Sequence, residues 1–294
     1  MIRQTTIIAL VALLGLAPVP ARADALADFK AGTSKDCPGC SLAGLDLKHR
    51  DLSGARLAGA DLTGADFYAA DLSGADCSGC KLDGARFKRA NLNKANLSKA
   101  TLTNANFHAA VLPDAVLTDA DLSGANLNRT DLRRVDCSGA RLAGAMLYGA
   151  DLSGAKLLGS DFTSGLLGHA RLARADLSRA IIVRADFTET VLRGATLSGA
   201  ILDGSIFEHS DLRDVKGAGL SAAGTGFSWA DLRQADLSGA RADGAVFYSA
   251  DLRGTDLSDA TFTNGVLRRA HIDGLKLEGT VLTGTQMPDG STHK

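Results

Sequence analysis

The chain has 294 residues, 45% of them hydrophobic, yet only 5% are aromatic, and it holds 33 glycines and 5 prolines. Such a core is filled by Leu and Ala in a narrow, uniform space. The 32 basic and 33 acidic residues give a net charge of −1, which matches neither the basic surplus of a nucleic-acid binder nor the acidic surplus of a nucleic-acid mimic.

The first element in chain order is a secretory signal peptide, expected over residues 1–23. Arg3 supplies a positive start, Thr5 to Leu16 an apolar stretch, and Ala21-Arg22-Ala23 a small-x-small cleavage site. The stretch is too short to span a membrane as a helix, and no Cys follows it closely enough for a lipid anchor. The alternative is an uncleaved anchor or a chance apolar start. Cleavage after Ala23 removes Arg3 and Arg22 and no acid, so 32 basic residues become 30 against 33 acidic ones, a net charge of −3. The mature protein is then expected in the periplasm or outside the cell.

Residues 24–36 read as a capping segment. A short helix is expected there, with Leu26 and Phe29 placed to cover the first coil, since a solenoid end needs a cap. From residue 37 to 289 one pattern runs without a slip. Every fifth residue from Leu42 to Met287 is Leu, Ile, Phe or Met at 45 of 50 positions, the exceptions being Cys77, Cys137, Gly217, Ala222 and Ala242. Two residues earlier stands a second series, mostly Ala, with a polar residue between, often Asp or Asn. Ala60-Asp61-Leu62-Thr63-Gly64 is one such unit.

A period of five fits neither a helix nor a plain strand. It fits a short extended side followed by a corner. Ala and Leu, two apart, face inward, and the Asp between them faces out. The Gly two residues after the Leu supplies the positive φ that a type II turn needs at its third residue. Residues 290–294 are left as a C-terminal tail.

The A(D/N)LxG pattern resembles the pentapeptide-repeat family over about residues 37–289. The resemblance implies an all-β fold, a single-chain right-handed quadrilateral parallel β-helix with four pentapeptides per coil. Residues 20 apart then stack. Phe67, Phe87, Phe107, Phe187, Phe207, Phe227 and Phe247, seven of the ten phenylalanines, fall in one of the four columns, as an aromatic ladder requires. At strand spacing, roughly twelve coils make a rod about 60 Å long. Relatives that dimerise through a C-terminal helix have no counterpart in Met287-Pro288-Asp289-Gly290.

Two places break the pattern. Between Arg213 and Gly226, Gly217 and Ala222 hold large-residue positions while Val215 and Leu220 hold Ala positions. Volume is swapped rather than lost, or the coil opens at a ligand site. Arg50 stands in an Ala position and is expected to reach solvent or an Asp near the cap.

Five cysteines occur: Cys37, Cys40, Cys77, Cys80 and Cys137. Two CxxC pairs 40 residues apart lie two coils apart and cannot share one metal, whose thiolates must all lie about 2.3 Å from it. Each pair spans one corner, which permits disulfides Cys37–Cys40 and Cys77–Cys80 in an oxidising compartment. Buried thiols and redox chemistry are the alternatives, and Cys137 has no partner.

No catalytic constellation, cofactor motif or metal cluster stands out. Carboxylates such as Asp51, Asp71, Asp131 and Asp151 recur because the repeat points them outward. Asp211 to Arg213, Asp231 to Arg233 and Asp251 to Arg253 stack at period 20 and read as solvated charge compensation. The most distinctive surface is the corner after the Phe column. It carries Tyr68, Arg89, Arg129, Tyr148, His169, His209, Trp229, Tyr248 and Arg269, with Lys48, His49, Lys88, His108, Glu208 and Arg268 beside them. Every Tyr and the single Trp lie there, and Gly is scarce. Exposed aromatics with Arg and His resemble a recognition edge; alternatively this corner uses a turn that needs no Gly.

These observations point to a non-enzymatic binding or scaffolding rod of the cell envelope, with a protein or glycan partner, no nucleic acid, no cofactor and no membrane span. Two alternatives remain open at this point. The resemblance implies a DNA-mimic role, since some relatives inhibit topoisomerases. The CxxC pairs allow a thiol-redox role.

Overall fold

The computed structural model describes residues 22–294; the signal peptide expected over residues 1–23 lies outside them but for Arg22 and Ala23, which begin the one helix. Helix α1 spans Arg22–Ala31. Asp24 in its first turn and Lys30 in its last oppose the helix dipole with the favourable sign. It ends where Gly32 takes φ +78° and Thr33 N–H bonds back to Asp28 O at 3.0 Å, a left-handed C-terminal stop. Phe29 is fully buried, and Leu26 packs against the same core. Arg50, expected to reach solvent or an Asp near the cap, stays partly exposed and turns to the helix rather than to an Asp. Its guanidinium donates to Phe29 O and lies 4.5 Å over the Phe29 ring.

From Ser41 onward every outward residue bridges in parallel to the residue 20 later, from Ser41↔Asp61 to Val266↔Gln286. Four turns fall in each such interval, so four pentapeptides make one coil of a solenoid. The all-β expectation needs one refinement. Each side contributes a single bridging residue, because turns follow one another too closely for a continuous strand to form. Leu62 N–H, for example, bonds Lys81 O at 2.7 Å in the next coil, and Ala65 N–H closes its own turn on Leu62 O at 3.0 Å.

The interior is a column of Leu, Phe and Ala running the length of the rod. Phe67, Phe87 and Phe107 stack with ring centroids 4.7 and 4.6 Å apart, and Phe187 to Phe247 continue the ladder at 4.8 to 5.4 Å. Phe162 stands outside that column, and Gly165 follows three residues later: a Cβ there would press Phe162 O at 3.0 Å and Leu167 Cδ1 at 3.2 Å. Some Ala positions hold Ser or Thr, and each such buried hydroxyl donates to a main-chain carbonyl, as Thr130 does to Phe107 O at 2.9 Å and Thr255 to Leu232 O at 2.8 Å. Among the described residues no buried polar side-chain atom lacks a partner, so these substitutions cost little.

The coil at 213–226 stays closed. A Cβ on Gly217 would lie 2.7 Å from Leu220 Cδ2 and 3.0 Å from Leu237 Cδ2, so neighbouring leucines fill the vacated volume. Bridges Ile206↔Gly226 and Lys216↔Asp236 continue through it. At the far end the tail folds back, Gln286 pairing antiparallel with Thr292.

Candidate functional site

The outward Asp and Asn residues build the corners as well as covering the sides. Asp61 Oδ1 accepts from Thr63 N–H at 3.1 Å and from its hydroxyl at 2.8 Å, and the same reach of two residues recurs along the rod, as at Asn106 to His108. This is the Asx turn, in which a short acceptor side chain satisfies the first turn amide. The Thr63 hydroxyl and then its N–H hold the Asp61 carboxyl below the usual carboxylate range.

All four corners have positive φ at the third turn residue. At three of them Gly holds that place in at least about half of the coils, as Gly54, Gly59 and Gly64 show with φ of 65° to 67°. At the aromatic corner eleven of the twelve such residues from His49 to Arg269 are not Gly, yet their φ stays between 53° and 61°. The expectation of a different turn there is therefore corrected. The backbone is the same, and side chains are carried in a conformation that costs an L-residue about 1–2 kcal/mol. For a residue as bulky as Trp229, at φ 56°, this is a true outlier.

These side chains gather in three clusters. His49 and Tyr68 meet edge to face at 5.5 Å, and Arg89 donates to the Tyr68 hydroxyl at 3.4 Å. Tyr148, 49% exposed, meets His169 at 4.9 Å, and His169 Nδ1 stands 3.1 Å from Glu189 Oε2. Arg129 joins this group along the coil, its N–H bonded to Tyr148 O at 2.9 Å. The third cluster is the longest. His209 stacks on Trp229 at 5.1 Å, Trp229 meets Tyr248 edge to face at 5.5 Å, and Arg269 lies 5.7 Å over the Tyr248 ring while donating to its hydroxyl at 2.8 Å. Side chains on successive coils thus hold one another in place.

The family model of pentapeptide repeats matches eight copies, over residues 40–76, 70–108, 102–136, 136–165, 170–214 and 227–264. The chain belongs to the pentapeptide-repeat family. Among solved structures it is similar to HetL, a pentapeptide repeat protein involved in heterocyst differentiation regulation in the cyanobacterium Nostoc sp. strain PCC 7120. The two are 28% identical over 91% of this chain and 98% of HetL, with a TM-score of 0.37. It is also similar to QnrB1, a plasmid-mediated fluoroquinolone resistance protein, at 18% identity over 56% of this chain and 89% of QnrB1, TM-score 0.35. A third is Rfr23 of the cyanobacterium Cyanothece 51142, at 24% identity over 42% of this chain and 98% of Rfr23, TM-score 0.30. No curated protein matches.

Beside the aromatic corner this pentapeptide-repeat protein carries a feature that sequence reading missed. The outward position just before the Phe column is polar in the early coils, with Asp66, Arg86, Asn106 and Asn126. From residue 146 most of these places turn apolar, with Met146, Leu166, Ile206, Val246 and Val266, interrupted by Asp186 and Gly226. Leu166 is 50% and Ile206 44% exposed. Noting which outward positions break the Asp/Asn rule would have found it. This interrupted stripe runs in the column next to Tyr148, Trp229 and Tyr248.

The cysteines part company. Cys37 and Cys40, 5.4 Å apart at Cα, are joined as a disulfide. The second expected disulfide is corrected: Cys77 and Cys80 are buried thiols. The reason is local. Cys80 Sγ lies 3.0 Å from Leu57 O, 23 residues back, the contact that Thr hydroxyls make from the same position. The hydrogen bond with Cys80, and then burial, push the Cys77 thiol up. Burial pushes Cys137 to about 12. Cys77 and Cys137 are therefore not ready thiolates, whereas the hydrogen bond with Cys77 lowers the buried Cys80 thiol. Among the described residues no group of three or more His, Cys, Asp or Glu side chains is placed to hold a metal, and no helix is long and apolar enough to cross a membrane.

Proposed function

We propose that this protein is a non-enzymatic binding rod of the cell envelope that holds its partner along the aromatic corner and the apolar stripe beside it. The observation that carries the reading is the positive φ of bulky corner residues, Trp229 above all. Gly would serve the turn at lower cost, so the side chains are kept for something other than the fold, and strain of this kind clusters where surfaces bind. The coil is taken as right-handed, the hand that parallel β connections adopt, with α1 as its N-terminal cap.

The partner is a protein or an envelope glycan. Half-exposed Leu166 and Ile206, in the column next to half-exposed Trp229, favour a protein, since aliphatic anchors next to aromatics and Arg are the make-up of interface centres. Six Lys or Arg against two Glu along the corner call for acidic residues on that partner. The same basic corner weighs against DNA mimicry, and the buried thiols weigh against redox chemistry. An envelope location rests on the N-terminal signal pattern, and the intact mass of the exported protein tests it.

The binding reading is tested by expressing the protein with its own N-terminus, crosslinking in the envelope and comparing it with a Tyr148→Ala/His209→Ala/Trp229→Ala variant. A crosslinked partner lost in the variant supports the corner. The same partner captured equally by both proteins would sink it.

A further inference from the structure

The next corner round the coil carries arginines. Arg213 binds Asp211 through Nε at 2.7 Å and Nη2 at 2.6 Å, and Arg233 with Asp231 and Arg253 with Asp251 repeat the pair. Asp231 and Asp251 also face the arginine one coil back, Arg213 standing 3.5 Å from Asp231 and Arg233 3.5 Å from Asp251. Charge is matched along this stretch. Toward the N-terminus the match fails. The outward column reads Asp131, Asp151, then Arg171 and Val191, before Asp211 resumes it. Where the two acids are missing, Arg171 and Arg174 have no carboxylate within ion-pair distance among the described residues, and Arg193 reaches only Asp214, through Nε at 3.3 Å.

A second observation, independent of charge, falls at the same place. A hollow of about 650 Å³ opens there, walled by Arg174, Arg193 and Asp214 over a floor of small residues that includes Gly154 and Gly194. A shallower groove of about 380 Å³ shares Arg193 and Asp214 and runs on along the matched arginines. The backbones that carry the walls are fixed relative to one another, since Arg174 N–H bonds Arg193 O at 3.0 Å. The stem of Arg174 passes over Gly194, whose Cβ, were it present, would lie 3.8 Å from Arg174 Cγ. Two guanidiniums thus border one depression with a single weak carboxylate between them, and an oxyanion there gains charge-assisted hydrogen bonds from both.

We propose that the hollow between Arg174 and Arg193 is a binding site for an oxyanion, a phosphate group carried either by a soluble molecule or by a lipid headgroup. It is separate from the aromatic corner and stands without it. Asp214 is the resident competitor, and displacing it from Arg193 is part of binding.

The test is calorimetric titration of the full protein with inorganic pyrophosphate at low ionic strength, with cosedimentation on phosphatidylglycerol vesicles against neutral phosphatidylcholine ones. The expected result is saturable binding that weakens as salt rises. Arg174→Gln and Arg193→Gln each weaken it about tenfold, while Asp214→Asn tightens it. Arg184→Gln, at the opposite corner of the same coil, leaves it unchanged. Binding to pyrophosphate alone assigns a soluble ligand; binding to the anionic vesicles as well assigns a headgroup. Absence of saturable binding to either, or an equal loss with Arg184→Gln, overturns the site. Matching melting curves for all variants keep folding out of the comparison.

Discussion

Gly64 and Ala109 stand at the same place in their turns, with φ of 66° and 56°. A Cβ on Gly64 would meet nothing within 4 Å, so Gly64→Ala changes backbone conformational energy and nothing else. It is expected to destabilise the protein by about 1 kcal/mol, and Ala109→Gly to stabilise it by a similar amount. Shifts of opposite sign in urea midpoints check this pair. The glycine rule itself was legible in the sequence. The turn at the aromatic corner was not, because a relaxed turn and a strained one both appear in sequence as missing glycines. The Asp and Asn of the repeat were read correctly as outward. Their bond to the amide two residues on depends on a side-chain rotamer, which periodicity does not report. Cys80 is a similar case: spacing permitted a bridge to Cys77, and a carbonyl on the neighbouring coil drew its sulfur instead.

A single coil is the next scale, and the one around Gly217 shows how tightly coils depend on each other. Restoring the repeat consensus there with Gly217→Leu is expected to destabilise the fold by about 1–3 kcal/mol, because Leu220 and Leu237 already occupy the space. Adding Leu220→Ala to that variant should recover most of the loss, and thermal melting of the single and double variants measures both effects. That volume was exchanged within this coil could be read from the sequence. Which neighbours took it up could not, since Leu237 comes from the following coil. The interrupted apolar stripe of Leu166 and Ile206 escaped for a related reason: five residues scattered over 120 fall in one column only once the 20-residue register is imposed.

Over the whole molecule the repeated carboxylates set the acid limit of stability. Arg133, Arg213 and Arg253 hold Asp131, Asp211 and Asp251 below their usual range. The Ser258 hydroxyl and N–H, with Lys276, bring Asp256 to about 2. Folded values below unfolded ones mean that this stability is complete above the unfolded carboxylate value of about 3.9 and is lost as pH falls through the folded values. Melting temperature should therefore be flat with respect to these groups above about pH 4 and drop between roughly pH 4 and 2, which a pH series of thermal melts records. The rod as a whole has the same logic as its corner: most of its residues serve the fold, and a few are kept against it. The most direct measurement of that claim pairs stability with binding in a His209→Gly/Trp229→Gly variant. The account expects a protein that melts no lower than the parent and loses its crosslinked envelope partner. A variant that melts well below the parent and still captures that partner would show the corner side chains to be structural, and would contradict it.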